Sequence, residues 1–95
     1  MPYVISHFFP SGTAAQYEAA MKAMNGELGR IPDGQIAHVA GPVPGGFRVI
    51  AIQGSKENWD RFMNEVFATV MGRGVEGSFI APPTELKFEA THFYR

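Results

Sequence analysis

Cysteine is absent from this chain of 95 residues, which removes disulfide frameworks, thiolate metal sites and a cysteine nucleophile together. A cytoplasmic setting is the expectation that follows. A surplus of charge is also missing: 8 Lys and Arg stand against 9 Asp and Glu, and the cations are scattered along the chain. Without a basic footprint, no nucleic acid is expected as a partner. Long apolar runs are lacking too, none approaching the roughly 20 residues that a membrane helix needs, so no membrane partner is expected. The apolar opening MPYVISHFF has no basic n-region and no small-residue cleavage site, and Pro10-Ser11-Gly12 cuts it short; it reads as a strand rather than a secretory signal. No phosphate loop is present, because Gly45-Gly46 is not followed by a helix start or a lysine-serine pair. Ser6, Ser11, Ser55 and Ser78 have no nucleophile-elbow context.

What the chain does have is apolar content, 45% of its residues, enough for one domain spanning 1–95 with a single core. The stretch from Gly34 to Arg61 organises it. Ile36 to Ala40 and Phe47 to Gln53 are apolar and partly β-branched, and the link Gly41 to Gly46 carries the glycines and prolines of a chain reversal. Together they predict a hairpin. Ser55 stands at a helix N-cap position, Glu57 lies in the first turn, and Trp59, Phe62, Met63, Val66, Phe67, Val70 and Met71 recur at helical spacing to about Met71.

On either side, Pro2 to Phe9 predicts a strand with apolar groups on both faces. Thr13 followed by Gln16 matches a capping box that opens a helix. Tyr17, Ala20, Met21, Met24 and Leu28 form the apolar stripe of this helix, and Gly29 with Pro32 ends it. After glycines at 72, 74 and 77, Phe79-Ile80 is a short apolar patch and Pro82-Pro83 leads into a last strand, Thr84 to Phe93. In that strand Leu86, Phe88, Ala90 and His92 alternate with Glu85, Lys87, Glu89 and Thr91, which predicts one wet face.

The order is β-α-β-β-α-β, the ferredoxin-like α+β arrangement: a four-stranded antiparallel sheet with two helices on one face. The other sheet face is too apolar for water, because the first and third strands carry large residues at both parities, Tyr3 and Ile5 against Val4 and Phe8, Phe47 and Val49 against Ile50 and Ile52. A homodimer is expected, through whichever of these sets the helices leave uncovered.

With the passage FRVIAIQGSKENWDRF, its length and its element order, the chain resembles the dimeric α+β barrel superfamily, close to the antibiotic-biosynthesis-monooxygenase-like proteins. The resemblance covers nearly the whole domain. It implies that two sheets pair into a barrel, and that the activity is oxidation of quinol-like or polyketide aromatics with no metal, flavin or other cofactor. The chain has Gln53 where many members end a strand in tryptophan, and Phe62 where many place a histidine on the helix. It is more similar to the branch with a histidine in the second strand, here His38.

His38 is the candidate catalytic residue, since an imidazole on an apolar strand can exchange a proton near neutral pH. Paired near Val49, it shares a sheet face with Ile36, Ala40, Phe47, Ala51 and Gln53. Tyr17, Phe47, Gln53, Trp59 and Phe62 are the candidate ligand-binding residues, around a hydrophobic cavity between sheet and helices in which His38 and Gln53 are the polar groups. The plainer alternative is a packed, hydrogen-bonded histidine and an aromatic core stripe. Arg48 fits an anion clamp or an interface residue equally well. His7, His38 and His92 make no metal site, because the first and last strands run antiparallel and carry His7 and His92 to opposite ends.

Two functions stay open. One is a cofactor-independent monooxygenase-like enzyme acting on an aromatic or hydrophobic small molecule. The other is a non-catalytic dimer that binds a small ligand or serves as an accessory protein.

Overall fold

A two-residue reversal at Pro44-Gly45 sets the centre of the sheet. The computed structural model describes residues 2–28, 34–64 and 74–94, and within them β2 (Gln35–Val43) folds back on β3 (Gly46–Gln53), with Val43 opposite Gly46. Pro44 followed by Gly45 at φ 84° is the pairing a type II turn requires, a preset φ and then a left-handed residue. The reversal is tighter than the six-residue link expected from Gly41 to Gly46. Pro42 is paired within the strand because β2 lies at the sheet edge, where a missing N–H costs no ladder bond.

β1 (Tyr3–Pro10) lies beside β3, and β4 (Thr84–Glu89) lies beside β1, all antiparallel, in the order β2-β3-β1-β4. β4 stops short of the expected Phe93. Its partner strand runs out there: Tyr3 pairs with Glu89, and Ala90 donates its N–H to the carbonyl of Pro2 at 2.8 Å as the last bridge.

α1 (Ala14–Leu28) opens with the capping box: Thr13 N–H donates to Gln16 Oε1 at 3.0 Å and Gln16 N–H to Thr13 Oγ1 at 3.2 Å. α2 (Lys56–Phe62) starts at Ser55, whose Oγ accepts from Asn58 N–H at 3.2 Å. Val66, Phe67, Val70, Met71 and the glycine at 72, with Gly29 and Pro32, lie outside the described residues, as do the side chains of Met24 and Leu28. Two helices on a four-stranded antiparallel sheet, in this order, make the ferredoxin-like α+β fold.

The register sorts the side chains into two layers. Tyr3, Ile5, His7 and Phe9 of β1 stand beside Gln53, Ala51, Val49 and Phe47 of β3 on the helix-covered face. Ile5 at 1% exposure, Tyr3 and Trp59 form the core there, with Phe62 and Met63 packed against them. The opposite face carries Val4, Phe8, Ile50 and Ile52. β4 departs from the expectation of one wet face, since its side chains are exposed on both: Glu85, Lys87 and Glu89 point to the helix side, Leu86 and Phe88 away from it. Among the described residues no helix is long and apolar enough to cross a membrane.

Candidate functional site

Between the helices and the sheet lies a cavity of about 380 Å³. Ile5, His7 and Phe9 of β1 and Val49 and Ala51 of β3 make its floor, Tyr17, Ala20 and Met21 of α1 and Trp59 and Phe62 of α2 its roof. The segment from Phe79 to Pro83 closes one side, fixed by the Phe79 ring stacked on Phe9 at 3.7 Å. A dry cavity of about 150 Å³ holds one benzene, so this one has room for a fused aromatic compound.

His38 reaches it from β2. The tight reversal at Pro44-Gly45 sets the register, which runs unbroken from Val43 opposite Gly46 to Ala37 opposite Ile52 and pairs His38 with Ala51; an irregularity follows between Ala37 and Gln35. Ala51 differs by two positions from the expected partner, Val49, and a shift of two leaves the sheet face unchanged. Ile36 falls at the irregularity and is exposed. His38 Nε2 lies 2.7 Å from Tyr17 Oη, so helix and strand meet across the cavity through one hydrogen bond. Burial lowers the pKa of His38 and raises that of Tyr17. By surface area His38 is exposed; its ring is nonetheless dry enough on the cavity side for desolvation to be the governing influence. The pair at neutral pH is therefore a neutral imidazole and a protonated phenol. With Tyr17 donating, the imidazole lone pair on Nε2 accepts the phenolic hydrogen bond.

Of the residues expected at the site, Tyr17, His38, Trp59 and Phe62 line the cavity. Phe47 and Gln53 do not. Phe47, 3% exposed, backs the wall by packing its ring 5.3 Å from Tyr17 and 6.2 Å from Phe79. Gln53 is wholly buried beside Tyr3 and Gln35, and neither amide atom finds a hydrogen-bond partner among the described residues. Arg48 is on the helix-free face, donating to Ser6 Oγ at 2.7 Å with its guanidinium over Phe8. His92 bonds Thr91 Oγ1 beyond the end of β4, far from His7 in register, and among the described residues no cluster of His, Asp or Glu is arranged to hold a metal.

His7, weighed from the sequence only as a metal ligand, also lines the cavity. Its parity on β1 with Ile5 and Phe9 was the available signal. Across β4 it meets Glu85, whose Oε2 lies 2.7 Å from His7 Nε2. That hydrogen bond, with help from Lys87 Nζ at 3.2 Å, holds the Glu85 pKa below the ordinary carboxylate value.

No family model and no curated protein matches the sequence. Solved structures do. SnoaB, a cofactor-independent oxygenase from Streptomyces nogalater, is 13% identical with a TM-score of 0.64 over 97% of this chain and 94% of its own. A putative antibiotic biosynthesis monooxygenase from Chloroflexus aurantiacus is 12% identical with a TM-score of 0.66 over 100% and 98%. The chain shares its fold with both. MhuD, with two manganese protoporphyrin IX bound per active site, shares it at 17% identity and a TM-score of 0.64 over 100% and 99%. At such identities the likeness is one of fold.

Proposed function

We propose that this chain is a cofactor-independent oxygenase acting on a hydroxylated fused aromatic compound, with Tyr17 and His38 as the proton-transfer pair. The observation that carries it is the 2.7 Å bond between Tyr17 Oη and His38 Nε2, set in the wall of an apolar cavity of about 380 Å³. A ligand site needs just such a lining, mostly apolar with a few convergent polar groups. The solved structure of SnoaB, a cofactor-independent oxygenase with the same fold, supports the reaction type.

The step balances without a further reductant. The substrate hydroxyl gives its proton to Tyr17 Oη as Tyr17 passes its own to His38 Nε2, leaving an aryloxide with electron density on ring carbon. That carbon bonds to dioxygen; the resulting peroxide takes up the proton held by His38, and as the O–O bond breaks the ring C–H proton goes to the departing hydroxide. One oxygen stays as a quinone carbonyl and the other leaves as water. The cavity contributes by holding the ring near the relay.

The test is oxygen uptake with the dihydroxynaphthalene that bears one hydroxyl on each ring, each next to an opposite end of the ring fusion, whose product by this route is juglone. Wild type should consume dioxygen and form juglone in equal amounts. His38→Ala and Tyr17→Phe should each lose about 100-fold or more in kcat with the fold kept, the usual worth of a positioned proton-transfer group. Ligand binding without oxygen uptake would leave a binding protein in place of an enzyme.

We further infer a homodimer through the helix-free face. Val39 and Leu86, each 61% exposed, and Phe88 at 49% join the half-buried Val4, Phe8, Ile50 and Ile52 there. A sheet face this rich in apolar side chains, with Arg48 and Ser6 bonded to each other among them, calls for a partner surface of the same character.

A further inference from the structure

The Tyr17–His38 relay leaves His7 without a role, although His7 is 9% exposed and lines the same cavity. Its ring is set on three sides. Phe9 meets it edge-on at 6.1 Å, Trp59 lies at 6.0 Å, and Glu85 binds Nε2 at 2.7 Å. An ionised carboxylate only accepts hydrogen bonds, so Nε2 carries the proton. With the proton on Nε2, the ring's remaining nitrogen, Nδ1, is the atom left for a ligand hydroxyl. That atom makes no hydrogen bond to any described residue and is not sealed off from space.

The sheet register fixes how far this acceptor is from the relay. His38 pairs with Ala51 and Ala51 with Ile5, which stands two residues from His7 on the same face. Two strand spacings of about 4.8 Å and two residues of about 3.3 Å put the Cα atoms of His38 and His7 roughly 12 Å apart across the cavity floor. The lining between them is apolar: Ile5, Val49 and Ala51 below, Trp59 and Phe62 above.

We propose that His7, oriented by Glu85, is a second ligand anchor, and that the cavity selects fused aromatic compounds carrying hydroxyl groups at two separated positions, one for Tyr17–His38 and one for His7 Nδ1. This rests on the cavity being the ligand site and narrows its substrate class. Glu85 is a positioning residue here, acting through the tautomer it imposes. An alternative role for the pair is a clip that fastens the edge strand β4 to β1. A clip affects stability and leaves ligand preference untouched.

Trp59 is the one tryptophan of the chain and lines the cavity, so its fluorescence reports binding directly. Titration under nitrogen with naphthol and with the dihydroxynaphthalene bearing a hydroxyl on each ring measures the preference. Wild type should bind the diol about tenfold more tightly than naphthol, the effect of one added hydrogen bond to a preset acceptor. His7→Ala should remove that advantage, bringing the two affinities together whatever their common value. Glu85→Gln, which keeps a hydrogen-bonding group beside the ring, should reduce the advantage without removing it. Should His7→Ala fail to fold, Glu85→Gln decides alone, and an undiminished diol preference in it overturns the proposal. Equal binding of diol and naphthol by wild type would also overturn it while leaving the cavity intact as a ligand site. No binding of either compound would overturn both.

Discussion

Tyr17 and His38 are tuned by one cause, loss of water, and it acts on them in opposite directions because one is charged when protonated and the other when deprotonated. Since burial lowers the His38 pKa, its neutral form persists below the ordinary histidine value of about 6.5. The acid limb of a kcat/KM profile should therefore fall below pH 6.5; a limb above it would contradict the burial of His38 in the cavity wall. Stability follows the same shift. As pH drops below about 6.5 the unfolded chain takes up a proton at His38 before the folded chain does, so the folded state loses ground from there downward. Glu85 adds to this at lower pH: with its folded pKa depressed, its small contribution is present above the ordinary carboxylate value and is lost as pH falls through the lowered one. Thermal unfolding midpoints at a series of pH values should fall on acidification, beginning near pH 6.5, and a rise would contradict the assignment. His38 was legible as a candidate because a single imidazole in an apolar strand stands out. Its bond to Tyr17 was not, since no local pattern says which helix residue faces which strand residue.

At the scale of elements, local chemistry carried most of the information. The capping box at Thr13 and Gln16, the serine cap at Ser55 and the apolar runs of β1 and β3 are each set by neighbours within four residues, and each forms. What escaped local reading depends on partners. β4 ends where β1 ends, β2 extends through Pro42 because it is an edge strand, and the irregularity near Ile36 follows from the pairing with β3. The tight reversal provides a test of this sheet geometry. A Cβ added at Gly46 would run into the carbonyl oxygen of Phe9 and lie 3.0 Å from Ser11 N, whereas one added at Gly41 would meet nothing within 4 Å. Gly46→Ala should lower stability by about 1–3 kcal/mol in denaturant unfolding, the usual cost of overpacking. Gly41→Ala should be near neutral, and equal effects at the two sites would argue against the register of β1 on β3.

For the whole molecule, the ferredoxin-like order was readable from the pattern of elements, but which apolar set the helices leave open was not, since β1 and β3 are apolar at both parities. The register resolves it: Phe47 and Val49 turn to the helices, Ile50 and Ile52 away from them. Light scattering at micromolar concentration should therefore give twice the 10.4 kDa chain mass. Ile50→Asp should shift it toward one chain, because a carboxylate buried at an apolar interface goes unpaired. A monomer in the wild type would remove the barrel. The cavity, by contrast, lies within one chain, and its claim is tested most directly by a crystal structure with the dihydroxynaphthalene bound under nitrogen. The account predicts the fused rings between Ile5 and Trp59, with one hydroxyl oxygen about 2.7 Å from Tyr17 Oη, a normal hydroxyl hydrogen bond. A compound bound on the helix-free face, or in the cavity with no oxygen near Tyr17, would contradict it.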